Sequence, residues 1–598
     1  MTETTSKPLS GGQGTLRVDL AAALAVALFG ILLAASDGFA RLSDAQGDND
    51  SLLRLVQVRD LLAGQGWFDP MQYRMGLEGG FPMHWSRLVD APIAALIRIA
   101  SVLTGSVPLG EAAALVLWPS LLLGVGAFLI ARTARLAYGP AAVFPAFVVG
   151  ALALVSIGAF QAGAIDHHNI QLVLTLGVAL GLVTGGLVPA AAAGACAALT
   201  LAIGMETLPY VAVAGAVAAG LFLVRGEAER GTAAGFGLGL AVVAAAAFVA
   251  TVPPSRWGEP ACDAYSLAQS SVAVLAGLGL AAIASLRSLS ASLGRRMAAL
   301  ALLGAAVGAL IVLAFPQCLA DPYAGLDPRL KRLWLDGVTE AQPVFQIAAR
   351  DPAMLLTWYA TPLLAVLVLA LSALHNGIRR VDAIVGALLV AAVLVSAWQV
   401  RGALFSVALA AIPLSGWIAS RRERATGSPS GTATLALAAA WILSFNAVWS
   451  TAGSRLFAPS TVPEATVAAA SAGACYRSDD YAALAALAPT TVLSVSNLGS
   501  AILAWTPHRA LAGSYHRNVA GNLAALDMLL ADPATAETLV RGTKVGVVAV
   551  CLGNSETTLL AAAAPDGLLS ALNAGRGPAW LEQVEGDKAL RLYRVRPD

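Results

Sequence analysis

Carboxylate and imidazole side chains gather in short polar segments between long apolar runs of this sequence. The first segment is Gly47-Asp48-Asn49-Asp50-Ser51, in which two carboxylates stand two residues apart. Hard divalent cations take several oxygen ligands, so this pair has the chemistry of half a cation site. The alternative is a solvated turn that caps the helix following it, which is a common role of such Asp/Asn pairs.

Two further segments carry the same chemistry. In Ile165-Asp166-His167-His168-Asn169, Asp166 and His168 project to the same side if the backbone is extended, and both can bind a divalent cation. The alternative is a helix-capping aspartate followed by interfacial histidines. In Gly337-Val338-Thr339-Glu340-Ala341-Gln342-Pro343 the single carboxylate, Glu340, is by itself an ordinary loop glutamate.

The composition decides which elements position these segments. Of 598 residues, 58% are hydrophobic and 12% charged, about half the charged fraction of a soluble protein. A soluble enzyme, a disordered chain and a fibrous protein are thereby excluded, and the net charge of +1 gives no field to attract nucleic acid. A bilayer needs about 20 apolar residues per helix. The sequence predicts an α-helical polytopic membrane protein with about thirteen spans, at Leu20–Ser36, Ala112–Ala131, Ala141–Phe160, Ile170–Leu187, Pro189–Ile203, Leu208–Val224, Ala233–Val252, Ser271–Leu286, Met297–Phe315, Met354–Leu374, Ala383–Trp398, Ala403–Ile418 and Thr432–Ser450.

The arginines predict the orientation. They fall in alternate connections, on the same side as Lys7 and Arg17, and the positive-inside rule makes that side cytoplasmic. They are Arg132, Arg135, Arg225, Arg230, Arg287, Arg295, Arg296, Arg379, Arg380, Arg421, Arg422 and Arg424. An odd number of spans then places the C-terminal part outside. A first span that is instead a cleaved signal peptide would break this alternation.

The outer face therefore carries the large first loop 37–111, the loops 161–169 and 253–270, and the loop 316–353. Residues 87–104 are predicted to form an interfacial helix. We expect a transmembrane domain over residues 1–450 and an α/β domain over 451–598. In the latter, Thr491–Val495 and Val545–Cys551 are strand-like, and Tyr481–Leu487 and Ala520–Leu530 are helical.

Cysteine positions fit this topology. Cys196 lies inside a span and is expected to be a packing residue. Cys262, Cys318, Cys475 and Cys551 all lie on the outer side, as expected for an oxidising compartment. Four cysteines allow three pairings; we favour Cys262–Cys318 and Cys475–Cys551, and two or more free thiols are the alternative.

Three motifs in this order resemble the catalytic subunit of the oligosaccharyltransferases, within the GT-C superfamily of membrane glycosyltransferases. Asp48 and Asp50, followed by Trp67-Phe68-Asp69-Pro70, resemble the family's first-loop acidic motif. Asp166-His167-His168 matches the Asp-His-His form of its second motif, and Val338-Thr339-Glu340-Ala341-Gln342-Pro343 is similar to its mobile-loop motif. Thirteen spans, a large first outer loop and an outer C-terminal domain are also features of that family.

The resemblance implies inverting transfer of a sugar from a polyprenyl-linked donor. It implies an Mg²⁺ or Mn²⁺ ion held by Asp50, Asp166, His168 and Glu340. It also implies catalysis by a first-loop carboxylate, Asp48 or Asp50; we prefer Asp50, because Asp50-Ser51-Leu52-Leu53 resembles the family's Asp-x-Tyr-Tyr. Arg401 would bind the lipid phosphate through its planar guanidinium. The alternative for Arg401 is snorkelling to the membrane surface.

One segment departs from the family. Where the family has Trp-Trp-Asp-Tyr-Gly, which grips the Ser/Thr of the glycosylation sequon, this chain has Val495-Ser496-Asn497-Leu498-Gly499. The acceptor is therefore expected to be another periplasmic protein, lipopolysaccharide or a surface glycan. His508, His516 and Arg517 are candidate acceptor contacts, with ordinary polar surface as the alternative.

Two other functions remain open. The first is transfer of single sugars from a polyprenyl monophosphate, which needs a carboxylate base and no strict metal. The second is a non-enzymatic polysaccharide flippase, although transporters place charges on broken helices near the midplane. Glu206 is the one residue that would qualify, and it fits an outer hairpin better. We expect the protein in a bacterial inner membrane, with its N-terminus cytoplasmic and its C-terminal domain periplasmic.

Overall fold

Most of the chain is helical. The computed structural model describes residues 12–321, 323, 325–457, 475–584 and 589–597, so Lys7 lies outside the described residues. The helices of the first three quarters are α1 Gly12–Ser36, α2 Asn49–Leu62, α3 Arg87–Thr104, α4 Val107–Tyr138, α5 Val143–Ser156, α6 His168–Thr184, α7 Leu187–Ile203, α8 Leu208–Arg225, α9 Arg230–Thr251, α10 Leu267–Ser285, α11 Arg287–Ser290, α12 Leu293–Ala314, α13 Pro328–Leu333, α14 Val344–Arg350, α15 Ala353–Asn376, α16 Arg380–Trp398, α17 Ala403–Gly427, α18 Gly431–Leu443 and α19 Asn446–Leu456.

The structure confirms a multi-pass membrane protein. Among the described residues, eight helical stretches are long and apolar enough to cross a membrane, or nine if the bent pair α18–α19 counts as one span. All thirteen predicted segments are helical, but α5, α6 and α7 are shorter than a full crossing, with 14, 17 and 17 residues. The count of thirteen spans therefore stays a prediction.

The last predicted span is not straight. α18 and α19 meet at 77°, at a break that contains Ser444. The polar side chains near this break have partners inside the protein. Asn446 accepts a hydrogen bond from Thr361 at 3.3 Å and donates one to Ser156 at 3.2 Å. An uninterrupted apolar stretch was therefore the wrong description of residues 432–450.

Small residues allow close backbone contact between α7 and α9. A Cβ added at Gly239 would lie 2.0 Å from the Ala191 carbonyl oxygen, and one added at Gly235 would lie 2.1 Å from that of Leu187. Small side chains let membrane helices pack backbone to backbone. The Ala/Gly-rich composition thus has a direct structural use.

The basic connections lie at one end of the helices. Asp19 of α1 binds Arg132 and Arg135 of α4, with separations of 3.1 and 2.5 Å. Arg380 at the start of α16 binds Glu229 at the start of α9, at 2.5 Å. This clustering is the one that the arginine alternation requires.

The opposite end carries the first loop. It contains α2, a two-stranded antiparallel hairpin of β1 Met71–Gln72 and β2 Phe81–Pro82, and then α3. α3 is amphipathic: Val89, Ile93 and Ile97 are buried, whereas Val102 and Leu103 at its end are 83% and 80% exposed. A helix over residues 87–104 is therefore confirmed.

The C-terminal part contains a five-stranded sheet. Its strands are β3 Thr491–Leu493, β4 Arg509–Ala510, β5 Val545–Cys551, β6 Leu581–Val584 and β7 Leu590–Val595, in the spatial order β4-β3-β5-β7-β6. β3 is parallel to β4 and β5, and β7 is antiparallel to β5 and β6. Among the described residues of this part, six helices accompany the sheet: α20 Ala482–Ala485, α21 Gly499–Trp505, α22 Val519–Leu530, α23 Pro533–Arg541, α24 Ser555–Ala563 and α25 Leu568–Asn573.

The outer loops complete the core of this C-terminal sheet. Leu53 and Val56 of α2, Met75 and Trp85 of the first loop, and Leu330 of α13 are buried in the same hydrophobic cluster as the strands. Two disulfides join residues of these loops and of the C-terminal part. The bonds Cys262–Cys318 and Cys475–Cys551 are both present, and Cys196 packs within α7 as a free thiol.

Candidate functional site

The first acidic segment forms the N-terminal turn of α2. Asp48 precedes the helix, and its Oδ1 accepts a hydrogen bond from the Ser51 amide at 2.9 Å. The capping interpretation is thus right for Asp48, which satisfies an unpaired donor of the first turn. Asp50 lies inside that turn, close to the charges of Asp166 and Glu340.

Ser51 joins the first segment to the second. Its Oγ accepts hydrogen bonds from the backbone amides of Ile165 and Asp166, at 3.0 and 3.1 Å. Two loops that are more than a hundred residues apart in sequence are therefore held together by a single hydroxyl group. The carboxylates of Asp48, Asp50 and Asp166 share one location as a result.

The second segment gathers two imidazoles on one carboxylate. Nδ1 of His167 contacts Oδ1 of Asp166, and Nδ1 of His168 contacts Oδ2 of the same side chain. The ligand atoms of the three residues lie within 4.8 Å of one another. Nε2 of His167 is 2.8 Å from Oε1 of Glu206, which lies in the short 3₁₀ turn Met205–Thr207 before α8.

The third segment approaches from the loop 316–353. Glu340 lies in a 3₁₀ turn, Thr339–Ala341, and its Oε1 is 3.9 Å from Nη1 of Arg401. Arg401 lies in the turn Val400–Gly402, and a hydrogen bond of 3.0 Å from the Val400 amide to the Gln342 carbonyl joins the two turns. Arg401 is also close to the charges of Glu206 and Asp50.

A buried ion pair between α2 and α3 supports the site. Arg54 of α2 is 1% exposed, binds Asp90 of α3 at 2.8 Å, and stacks over Trp85 at 4.2 Å from the ring centroid. Arg87 binds the other oxygen of Asp90 at 2.9 Å. These contacts fix α2 against α3, and with it the turn that carries Asp50.

The C-terminal sheet contributes one side chain directly. The hydroxyl of Tyr515, on the segment after β4, donates to the Asn49 carbonyl at 3.0 Å and lies 3.2 Å from Ser500 Oγ. It also contacts the Asp50 carboxylate. The first-loop motif is therefore supported by residues from far along the chain.

The electrostatics of the site favour a bound cation. Burial, reinforced by the charge of Asp166, raises the pKa of Asp48 to about 6. Burial and the charges of Asp166 and Glu340 likewise raise the pKa of Asp50 above its ordinary value. Like charges held together in this way disfavour ionisation, and a divalent ion would offset their repulsion.

The donor atoms also fit a metal ion. Nε2 of His168 is buried and has no hydrogen-bond partner, although a buried polar atom without a partner is costly. Carboxylates suit Mg²⁺ and Mn²⁺, and imidazoles suit transition metals. The residues present thus match the divalent ion expected from the sequence.

Other predicted residues lie away from this centre. Trp67 donates from Nε1 to the Ala250 carbonyl at 2.6 Å, so the Trp-Phe-Asp-Pro element attaches the first loop to the end of α9. His508 is fully buried, with its ring nitrogens on the Thr490 amide and the Leu484 carbonyl, at 3.0 and 2.8 Å. The prediction that His508 contacts an acceptor is wrong, because both nitrogens serve the core of the C-terminal domain.

His516 and Arg517 have a structural partner. Both bind Asp263, at 2.7 Å, in the loop 253–270. Burial alone would raise the pKa of Asp263, but the hydrogen bonds from Arg517 and His516 outweigh it and hold that pKa well below its ordinary value. The structure therefore gives these two residues a role in attaching the C-terminal domain to the loop 253–270, and their acceptor contact stays a prediction.

The fold can be compared with solved structures. A helical membrane part, a large first loop with a carboxylate pair, and a C-terminal sheet domain over the site are arranged as in archaeal oligosaccharyltransferases, which share this fold. No protein-family model and no curated protein sequence matches the chain.

The solved structures concerned are those of AglB, the oligosaccharyltransferase of Archaeoglobus fulgidus. One, in complex with an inhibitory peptide and a dolichol-phosphate, aligns over 90% of this chain and 70% of its own, at 14% identity and a TM-score of 0.60. A second, tethered to an acceptor peptide with an NVT sequon, aligns over 96% and 74%, at 14% identity and a TM-score of 0.62. A third, with Zn and sulfate, aligns over 85% and 64%, at 14% identity and a TM-score of 0.55.

Three site residues escaped the sequence analysis. His167 and Tyr515 contact predicted carboxylates, and Glu206 contacts His167, but none of the three was among the residues predicted to form the site. His167 had a signal, since it lies between two predicted ligands. Glu206 and Tyr515 have none in sequence, because their proximity depends on how separate loops pack.

Proposed function

We propose that this protein is a glycosyltransferase that moves a sugar or oligosaccharide from a polyprenyl-(pyro)phosphate donor to an acceptor on the outer face of the membrane, with inversion. The observation that carries the proposal is that polar residues from separate loops lie close together. Asp50, Asp166, Glu340 and Arg401 come from four separate segments and meet at one end of the helices. The ligands in the AglB structures, a dolichol-phosphate and peptides, support a lipid-linked donor and a peptide-like acceptor by analogy of fold.

The residues divide the work by position. Asp50, free of the capping role of Asp48, accepts the hydrogen bond of the acceptor nucleophile and receives its proton. Asp50, Asp166, His168 and Glu340 would hold the divalent ion, which when bound supplies Lewis-acid stabilisation of the leaving phosphate. Arg401 binds a phosphate oxygen of the donor, and Glu340 on the same side orients its guanidinium.

The acceptor side differs from the family pattern in a way that has a structural basis. Ser496 and Asn497 follow β3, and both backbone amides donate to Glu556 of α24, at 3.1 and 2.9 Å. Ser496 Oγ donates to the same carboxylate at 3.0 Å. This segment has no aromatic side chain, and its two amides and the Ser496 hydroxyl are bound to Glu556, so it does not offer an aromatic pocket to a sequon hydroxyl. We therefore propose an acceptor other than an Asn sequon: a protein of another type, lipopolysaccharide or a surface glycan.

A transfer assay tests the proposal. The purified full-length protein is incubated with a radiolabelled polyprenyl-pyrophosphate sugar, Mn²⁺ and separate pools of outer-membrane glycolipid, surface glycan and peptide, and products are identified by mass spectrometry. Transfer that EDTA abolishes and Mn²⁺ or Mg²⁺ restores supports the metal-assisted reaction. Full activity in EDTA with a polyprenyl-monophosphate sugar would instead support the monosaccharide transferase, and movement of an intact lipid-linked glycan without bond cleavage would support the flippase.

A further inference from the structure

The backbone before α8 is shaped around one carboxylate. Glu206 turns back over Gly204, and a Cβ at Gly204 would lie 2.5 and 2.6 Å from its two carboxylate oxygens. Only glycine leaves this space without displacing the carboxylate. The Glu206 side chain is 18% exposed and points to the ring of His167.

His167 connects this carboxylate to the metal-binding group. Its side chain is 7% exposed, its Nε2 is 2.8 Å from Glu206 Oε1, and its Nδ1 contacts Asp166. Nη2 of Arg54 lies 3.5 Å from the same Nδ1. A guanidinium only donates, so this contact is compatible with the tautomer that has a lone pair on Nδ1 and carries its proton on Nε2, toward Glu206.

We propose that His167 is a further ligand of the divalent ion through Nδ1, and that Glu206 is the residue that positions it. A metal-bound histidine nearly always donates its other N–H to a carboxylate, a carbonyl or water, which fixes the ring and its tautomer. Glu206, His167 and Asp166 lie in this order. The inference rests on the proposed function, since it requires that the site binds a divalent ion.

The number of nitrogen ligands on Mn²⁺ tests directly whether His167 binds the ion. The full-length protein in detergent is loaded with Mn²⁺ alone, and electron spin-echo modulation counts the imidazole nitrogens bound to the ion. We expect two in the wild type and one in both His167→Gln and His168→Gln. A single nitrogen in the wild type that His167→Gln leaves unchanged would overturn the assignment.

The affinity for Mn²⁺ tests the positioning role of Glu206 without changing a ligand of the ion. Loss of such a supporting partner typically weakens metal binding about 10- to 100-fold, and we expect that increase in the Mn²⁺ dissociation constant for Glu206→Gln. The matched control is Glu259→Gln, which removes an exposed carboxylate from the loop 253–270 and should leave the affinity unchanged.

Two failures are distinguishable. Equal Mn²⁺ affinity in Glu206→Gln and the wild type would refute the positioning role while the proposed function stands. A wild-type protein that binds no Mn²⁺ would refute the metal-assisted function itself, because no substrate enters either measurement.

Discussion

At the scale of single residues, two identical side chains take different tasks because of one position in a helix turn. Asp48 accepts a hydrogen bond from the amide of Ser51, whereas Asp50 lies close to Tyr515, Asp166 and Glu340. The distinction between the two carboxylates is structural, since both lie in the same acidic segment. It leads to different expectations for their substitution.

Alanine substitutions should separate catalysis from stability. Asp50→Ala, Asp166→Ala and Glu340→Ala should each lower the transfer rate by about a hundredfold or more. Asp50→Ala and Glu340→Ala should cost little stability, since the first removes one of several crowded like charges and the second an exposed side chain, whereas Asp166→Ala also leaves two imidazoles without their carboxylate. Asp48→Ala should instead cost about 0.5–2 kcal/mol of stability through loss of its cap. Initial rates with the lipid-linked donor, and thermal unfolding in detergent, measure the two effects.

The combined variants add a check on this expectation. Two of the substitutions together should cost less than the product of their separate effects, since they act through one site. Full activity of Asp50→Ala, with or without Asp48→Ala, would exclude the first loop from catalysis.

Arg401 should be a donor-binding residue. Its guanidinium is withdrawn from solvent, with a side chain 21% exposed, and Nε is buried without a hydrogen-bond partner. These unused donors distinguish it from a snorkelling arginine, whose head group is hydrated. Arg401→Ala should weaken donor binding by about 2–4 kcal/mol, because a phosphate loses a charged partner. The comparison is Arg256→Ala, whose side chain is 40% exposed; equal donor affinity in both variants would favour snorkelling.

At the scale of elements, the outer loops are attached to the C-terminal domain by a few specific bonds. The Cys262–Cys318 disulfide joins the loop 253–270 to the loop 316–353, which carries Glu340. Next to it, Asp263 binds Arg517 and His516. The loop 316–353, which carries the exposed carboxylate of Glu340, is thus linked to the loop 253–270 and through it to the C-terminal domain.

Weakening this attachment should loosen the outer face in a pH-dependent way. The pKa of Asp263 is lowered in the folded protein, so its contribution is present above the ordinary aspartate pKa of about 4 and is lost as the pH falls below it. Asp263→Asn should remove about 1–3 kcal/mol of local stability at neutral pH. Hydrogen exchange of residues 509–518 should therefore be faster in this variant at pH 7, and the difference from the wild type should shrink near pH 3.

The exposed neighbour Glu259 provides the control. Glu259→Gln breaks a solvent-exposed pair with Arg256 and should change exchange little, because surface ion pairs contribute about 0–1 kcal/mol. Unchanged exchange in Asp263→Asn at pH 7 would mean that the hydrophobic core alone attaches the domain.

Elements were the most predictable feature of this molecule. Long apolar runs located the helices, and a short apolar run located β5, because both signals are local. The break at Ser444 was not visible, since it depends on where Asn446 finds partners on α15 and α5. The site residues show the same difference. Asp166 and Glu340 were predicted from local motifs, whereas the contact of Glu206 with His167 depends on how α7 and α8 pack against the second loop.

At the scale of the whole molecule, the described residues form two large hydrophobic cores that meet at the site, besides a small cluster of Ile347, Tyr359 and Val400. One lies among the membrane helices, and the other fills the C-terminal domain together with Leu53 and Trp85 of the first loop. α2 contributes to both, with Leu55 in the first and Val56 in the second. Asp50 therefore stands where the membrane part and the outer part are fixed to each other, which suits a reaction between a lipid-borne donor and a water-borne acceptor.

The two ends of the helices differ in charge, which gives the chain a testable orientation in the membrane. The arginine-rich connections gather at one end of the helices, through pairs such as Arg135–Asp19 and Arg380–Glu229, and the site lies with the sheet at the other end. The positive-inside rule places the arginine end in the cytoplasm, so a reporter that is active only in the periplasm should be active when fused after residue 598. A cysteine-reactive reagent that cannot cross membranes gives an independent reading. It should label Glu259→Cys in intact spheroplasts and leave Arg422→Cys unlabelled until the membrane is opened. Labelling of Arg422→Cys alone would invert the topology, and with it would move the proposed reaction to the cytoplasmic face.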